Sequence, residues 1–195
     1  VVFEETVSVD EIMKIAETAE LFSYDGVKRQ EKENTSERAD GIPIIAVARD
    51  EAFCFYYEDN LRLLEECGAK LQFFSPIHDS KLPEGSNALL LGGGYPELYA
   101  QKLNDNKDML SAIKSAFNAG MPTVAECGGF MYLHSAIIDK DGNVFEMAGV
   151  IPDTCCYKGK LVRFGYIELE EKERNFLPQG EKIKGHEFHY FDSEH

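Results

Sequence analysis

The junction Val124-Ala125-Glu126-Cys127-Gly128-Gly129 constrains this chain more than any other stretch. A short apolar run ends, a cysteine follows, and two glycines come next. Phe130, Met131, Leu133 and Ile137 then continue at helical spacing. That order predicts an elbow, a tight strand-to-helix turn that holds a reactive side chain at its apex. The start of the helix offers unpaired N–H groups and a partial positive charge, which are expected to favour a thiolate at Cys127. The same N–H groups can hold the oxyanion that forms when sulfur attacks a carbonyl. The plainer alternative is a core cysteine at a strand end.

The residues before the elbow give it a setting. Ile42 to Ala48 is an apolar run without alternation, the pattern of a strand buried on both faces. Asp59 to Cys67 has helical spacing at Leu61, Leu64 and Cys67, with Gly68 as its stop. Ala69 to Phe74 and Ala88 to Leu91 predict two further strands, Asp108 to Ala119 a helix stopped by Gly120, and Pro122 to Ala125 a fourth strand. Alternating strands and helices of these lengths predict a mostly parallel sheet covered on both faces, an α/β fold. Past Asp139 the pattern turns β-rich, with strands expected over Val144 to Ile151, Leu161 to Leu169 and Ile183 to Phe191. Residues 1–40 read differently. Ser8 is positioned to cap a short helix with Glu11 as its capping-box partner, and Lys28 to Asp40 is a polar stretch with the composition of a linker. The expected division is therefore 1–40 and 41–195.

A second glycine-rich loop, Leu91-Gly92-Gly93-Gly94-Tyr95-Pro96-Glu97, also follows a predicted strand. In a parallel sheet it would share the carboxyl edge with Cys127, where ligands bind. Main-chain N–H groups of Gly93 and Gly94 could then complete an oxyanion hole with Gly128. The spacing is neither that of a P-loop nor of a dinucleotide fingerprint. Asp50, Glu51, Phe53, Phe55, Tyr56 and Tyr57 follow the first strand and could line the same edge, or simply form a loop and helix start.

A cysteine nucleophile needs a base from elsewhere in the chain. Gly185-His186-Glu187-Phe188-His189-Tyr190 supplies two candidates. In a strand, His186 and His189 would face opposite ways, so only one would reach the site. His134, seven residues past Cys127, is expected half-buried on the helix after the elbow, and His78 and His195 fall in loop or terminal contexts. The His186/Glu187/His189 cluster lacks the further ligands that structural zinc needs, so no metal site is expected.

Bulk properties exclude several functions. Thirty-five acidic against twenty basic residues leave a formal net charge of −15. That field repels a phosphate backbone, so nucleic acid is not an expected partner. No run of eighteen apolar residues occurs and Val1 to Glu5 lack a secretory profile, so no membrane partner is expected. Five cysteines, an odd number without a Cys-x-x-Cys pair, suggest a reducing, cytoplasmic compartment, with Cys155 and Cys156 as ordinary small residues in or near a strand.

Taken together, Ala125-Glu126-Cys127-Gly128-Gly129-Phe130-Met131-Tyr132-Leu133 closely resembles the nucleophile motif of the cobyrinic acid a,c-diamide synthases. So do Leu91 to Leu98, Arg163-Phe164-Gly165-Tyr166 and Gly185 to His189, in that order, over about Ile44 to Tyr190. The resemblance implies a class I glutamine amidotransferase-like, flavodoxin-like fold with a β-rich C-terminal half. It implies that Cys127 attacks glutamine to form a thioester, that the family histidine falls on His189, and that Gly93, Gly94 and Gly128 lie at the oxyanion. It implies no cofactor in this domain. ATP and Mg2+ would belong to an amino-terminal synthetase domain of which residues 1 to about 25 resemble the end. Ammonia would pass there to the a and c carboxylates of a corrin precursor acid. A homodimer is compatible with the resemblance. Where related amidotransferases often carry a glutamate two residues after the histidine, this chain has Phe191. Rival expectations are another acceptor (a nickel sirohydrochlorin or a lipid-linked cell-wall precursor), an unrelated cysteine hydrolase, or an inactive docking domain.

Overall fold

The computed structural model describes residues 7–19, 41–173 and 177–194. The expected linker, Lys28 to Asp40, and His195 lie outside the described residues. The chain divides into two compact units, one up to residue 38 and one from residue 39 onward. In the first, helix α1 (Val9–Glu17) begins at Ser8, whose side chain accepts a hydrogen bond from the Glu11 N–H. This is the cap the sequence signals, since the first N–H groups of a helix have no partner within it.

The second unit is built on a parallel four-stranded sheet in the order β2-β1-β3-β4, with β1 at Ile44–Ala48, β2 at Lys70–Phe74, β3 at Ala88–Leu91 and β4 at Thr123–Ala125. The chain leaves β1 first to one side and then to the other. The crevice at the carboxyl ends of β1 and β3 is therefore the switch point where such sheets bind ligands. Ala46, Val47 and Ala48 of β1 are fully buried, which is why that run shows no alternation. Helices α2 (Glu58–Glu66) and α4 (Lys107–Asn118) lie close to their expected positions. Gly68 and Gly120 follow them with positive φ of 98° and 85°, the conformation a helix stop requires. Met109, Leu110 and Ile113 bury one face of α4. Between the loops, a 3-10 turn (Pro96–Tyr99) leads into α3 (Ala100–Asp105).

The elbow helix, α5 (Gly128–Leu133), is shorter than the spacing through Ile137 predicts. It ends at His134, which is the first residue of β5 (His134–Ile138) and fully buried, not half-buried on a helix. The reason is local. The His134 Nδ1–H donates to the Phe130 carbonyl at 2.9 Å, the acceptor that a continuing helix would have given to the His134 main-chain N–H.

The β-rich half holds a mixed sheet in the order β10-β7-β5-β6, adding β6 (Val144–Glu146), β7 (Ile151–Tyr157) and β10 (Phe191–Glu194). Of the strand expected over Val144 to Ile151, only Val144–Glu146 and Ile151 are strand, and β7 runs on to Tyr157, beyond the expected span. Strand β7 carries Pro152, which reads as a break in sequence; the register between β5 and β7 shifts between His134 and Ala136, opposite that proline. Cys155 and Cys156 are buried in β7. Strands β8 (Arg163–Glu170) and β9 (Lys182–His189) form a separate antiparallel ribbon. Among the described residues, no helix is long and apolar enough to cross a membrane.

Two substitutions test the packing around α5. A Cβ on Gly129 would lie 2.1 Å from the Leu91 carbonyl oxygen. Gly129→Ala is expected to destabilise by roughly 1–3 kcal/mol, read as a lowered urea midpoint. The Tyr132 hydroxyl is buried without a hydrogen-bond partner. Tyr132→Phe is expected to be neutral or to raise stability by about 1 kcal/mol in the same assay.

Candidate active site

Three loops meet at the switch point. The first, after β1, is held by Asp50, whose carboxylate accepts from the Ala52 and Phe53 N–H groups, the Ser75 hydroxyl and the Ile77 N–H. Asp50 is thus a bracket for the loop. Tyr56 ties this loop to the next: its hydroxyl donates to the Ala48 carbonyl and accepts from the Gly92 N–H at 2.9 Å. Burial pushes the Tyr56 phenol up to about 12, so it stays protonated. Phe55 pairs with Gly93 and packs edge-on against Tyr95, with ring centroids 5.1 Å apart. Glu51 instead points to His78, at 3.0 Å. Of the aromatic set, Phe53 is buried in the core and Tyr57 is exposed.

The second and third loops interlock. Glu126 N–H donates to the Leu91 carbonyl, and Gly129 N–H donates to the Gly92 carbonyl at 2.9 Å. A Cβ on Gly94 would lie 2.0 Å from the Ala52 carbonyl oxygen, and one on Gly128 would lie 2.8 Å from Pro96 and 3.2 Å from Gly94 N. Glycine is needed at both positions because backbone passes directly against backbone.

Cys127 sits at φ 48°, ψ −109°, the only non-glycine residue with positive φ among the described residues. Such a conformation costs of order 1–3 kcal/mol and persists only where surrounding contacts impose it. It presents an exposed side chain at the start of α5. Loss of hydration there pushes the thiol pKa up, and this is the largest influence on it. The Gly128 and Gly94 N–H groups donate to sulfur and pull the other way, while the Glu97 and Glu126 carboxylates push up again. The expectation of a favoured resting thiolate is corrected accordingly: the six-residue helix supplies one donor and the loop after β3 a second, and burial with two nearby acids outweighs them. Glu97, itself half-buried with its pKa raised by burial, is a neighbour of the nucleophile that the sequence motif contains but does not mark.

Of the three glycines, Gly94 and Gly128 aim N–H groups at the sulfur. Gly93 gives its carbonyl to Phe55 N–H, and a Cβ there would lie 3.6 Å from that of Cys127. The histidines separate as their spacing predicts. His186 is exposed and meets the rings of Phe164 and Tyr166 edge-on, while His189 is half-buried at the end of β9. Its Nδ1–H donates to the Phe191 carbonyl at 2.6 Å. The elbow is tied to β10, the strand that follows His189, while no hydrogen bond joins the Cys127 and His189 side chains. The Ser193 hydroxyl of β10 bonds Nε2 of His134, the residue that ends α5, at 2.7 Å. Glu97 acts on both Cys127 and Cys155, and Cys155 lies opposite Ser193. Among the described residues, no group of three or more His, Cys, Asp or Glu is arranged to hold a metal ion.

These features define a class: an α/β domain with a cysteine on an elbow and main-chain donors at its sulfur. The chain belongs to the CobB/CobQ-like glutamine amidotransferase domain family, whose model matches residues 44–194. It is 52% identical over 147 residues to the cobyrinate a,c-diamide synthase of Caldanaerobacter subterraneus subsp. tengcongensis, covering 75% of this chain and 32% of that protein. It is 42% identical over 190 residues to the cobyrinate a,c-diamide synthase of Salmonella typhimurium, covering 97% of this chain and 40% of that protein. Over 188 residues it is 40% identical to the enzyme of the same name from Dehalococcoides mccartyi, covering 96% and 40%. The chain thus spans about a third to two-fifths of the length of these relatives.

The charges around Cys127 make a testable statement. Glu97→Gln removes a carboxylate that holds the thiol protonated. Iodoacetamide should then alkylate Cys127 faster at pH 7, with the pH dependence of the rate moved to lower pH. An unchanged profile would mean that Glu97 does not act on the sulfur.

Proposed function

We propose that this chain is the glutaminase portion of an ATP-dependent amidotransferase, with Cys127 as nucleophile and His189 as general base and acid. The observation that carries it is the positive-φ elbow at Cys127 with the Gly94 and Gly128 N–H groups converging on the sulfur. A resting thiol requires a base, and the neutral imidazole of His189 takes the proton as sulfur attacks the side-chain amide carbon of glutamine. The carbonyl oxygen becomes an oxyanion, and the Gly94 and Gly128 N–H groups are the nearest donors to hold it, with Gly93 shaping the wall beside them. The imidazolium then gives its proton to the amide nitrogen. The carbon–nitrogen bond breaks, ammonia leaves, and a glutamyl thioester remains on Cys127. Water, deprotonated by His189, opens the thioester to give glutamate and restores the thiol.

The names of the relatives support the acceptor: the a and c carboxylates of cobyrinate, amidated in corrin biosynthesis. ATP and Mg2+, which would activate those carboxylates, are assigned to the part of the relatives' length that this chain does not span. Residues 1 to about 25 are read as the end of that synthetase portion, with 41–195 as the glutaminase domain, in the cytoplasm. The rim of the site suits a covering partner. Phe55, Tyr95, Leu98 and Phe130 flank the elbow in sequence or contact and are all exposed.

The test uses a diazoketone analogue of glutamine and intact-protein mass measurement. One adduct should form on Cys127, glutamine should protect against it, and Cys127→Ser should abolish it. His189→Ala should lower glutaminase kcat by roughly 10²–10⁴-fold. Adducts on Cys54 or Cys67 in place of Cys127 would sink the assignment.

A further inference from the structure

The acid that often follows the histidine in related enzymes is replaced here by Phe191, a side chain that cannot accept a hydrogen bond. The position nevertheless supplies an acceptor through its backbone. We propose that the main-chain carbonyl of Phe191 is the third member of the catalytic set, a positioning group that fixes the tautomer and direction of the His189 imidazole. This rests on the reading of His189 as the base.

The geometry is specific. A carbonyl can only accept, so the 2.6 Å contact places the proton on Nδ1 and leaves Nε2 with its lone pair for the substrate side. The contact follows from a change of sheet. Residue 189 still pairs with Arg163 of β8, while residue 191 already pairs with Tyr157 of β7, and only Tyr190 lies between them. Both partnerships are tied at the crossing. Val162 N–H donates to the His189 carbonyl and Lys158 N–H donates to the Tyr190 carbonyl, each at 2.9 Å. The Phe191 ring packs on the core and against Tyr157, with centroids 5.4 Å apart, so the carbonyl on its other side is held rigidly. The phenyl group is thus an anchor for the acceptor.

A neutral acceptor also suits this site. Glu97 and Glu126 already oppose a thiolate at Cys127. A third carboxylate beside His189 would stabilise the imidazolium but add more negative charge near the nucleophile. A carbonyl orients the ring without that penalty. Holding the correct tautomer is worth orders of magnitude in rate in other enzymes that use a nucleophile–histidine pair.

The experiment is 15N NMR of the 195-residue chain with labelled histidine, assigned by His189→Ala. Neutral His189 is expected almost wholly as the Nδ1–H tautomer, with a downfield Nδ1 proton, whereas an unconstrained imidazole in water favours Nε2–H. Phe191→Leu keeps the main-chain acceptor and an apolar anchor, so the Nδ1–H tautomer should be retained. An Nε2–H tautomer in the wild-type chain, or loss of the Nδ1–H signature in Phe191→Leu while the fold is intact, overturns the proposal. The reading beneath it fails separately: undiminished glutaminase activity in His189→Ala would remove the base and leave the tautomer as it is.

Discussion

The site depends on one close approach: the backbone of the loop after β3 lies directly against the backbone of the elbow after β4. Leu91 and Gly92 carbonyls accept from Glu126 and Gly129, a Cβ on Gly129 would lie 2.1 Å from the Leu91 carbonyl oxygen, and one on Gly128 would lie 3.2 Å from Gly94 N. That contact imposes the unusual dihedrals on Cys127, because the chain must reverse from β4 into α5 within a residue or two. It also brings the Gly94 and Gly128 N–H groups within reach of the sulfur, where they lower the thiol pKa. Strain, donor placement and exposure of the thiol are three results of the same packing, which is why glycine recurs in both loops.

Tyr56 extends this arrangement to the central strand. By bridging the Ala48 carbonyl and the Gly92 N–H, it locks the end of β1 to the loop after β3. Those two polar main-chain groups would otherwise be left at a partly buried strand end, which is costly. The loop after β1 is therefore the support on which the loop after β3 rests, with Asp50 as its internal bracket.

Much of this was legible in the residues. Doubly buried strands announce themselves as unbroken apolar runs, and Gly68, Gly92 to Gly94, Gly120 and Gly128 punctuate them, so the α/β half and the elbow follow from spacing. What escaped had physical reasons. His134 ends α5 through a side-chain bond to Phe130, a competition that hydrophobic periodicity does not register. Strand β7 carries a proline, tolerated only because a register shift falls opposite it. Tyr56 follows the first strand in sequence and Glu97 follows a glycine-rich loop, yet a hydroxyl bridging two main-chain groups and a carboxylate acting on sulfur exist only once the loops have met. The resting state of Cys127 was read from the helix N-terminus alone, and the burial and acids that outweigh it are three-dimensional.

The backbone contact at Phe191 bears on how such a pair can work without a third side chain. In a triad the acid both orients the imidazole and stabilises its charged form. Here the two tasks separate. Orientation falls to a carbonyl fixed by the strand's passage from one sheet to the other. No side chain at position 191 takes up the second task, and the carboxylates at the elbow, Glu97 and Glu126, act on Cys127. Those acids raise the cost of a thiolate when the site is empty. With its thiol pKa raised in this way, a solvent-open cysteine is less reactive toward stray electrophiles and oxidants.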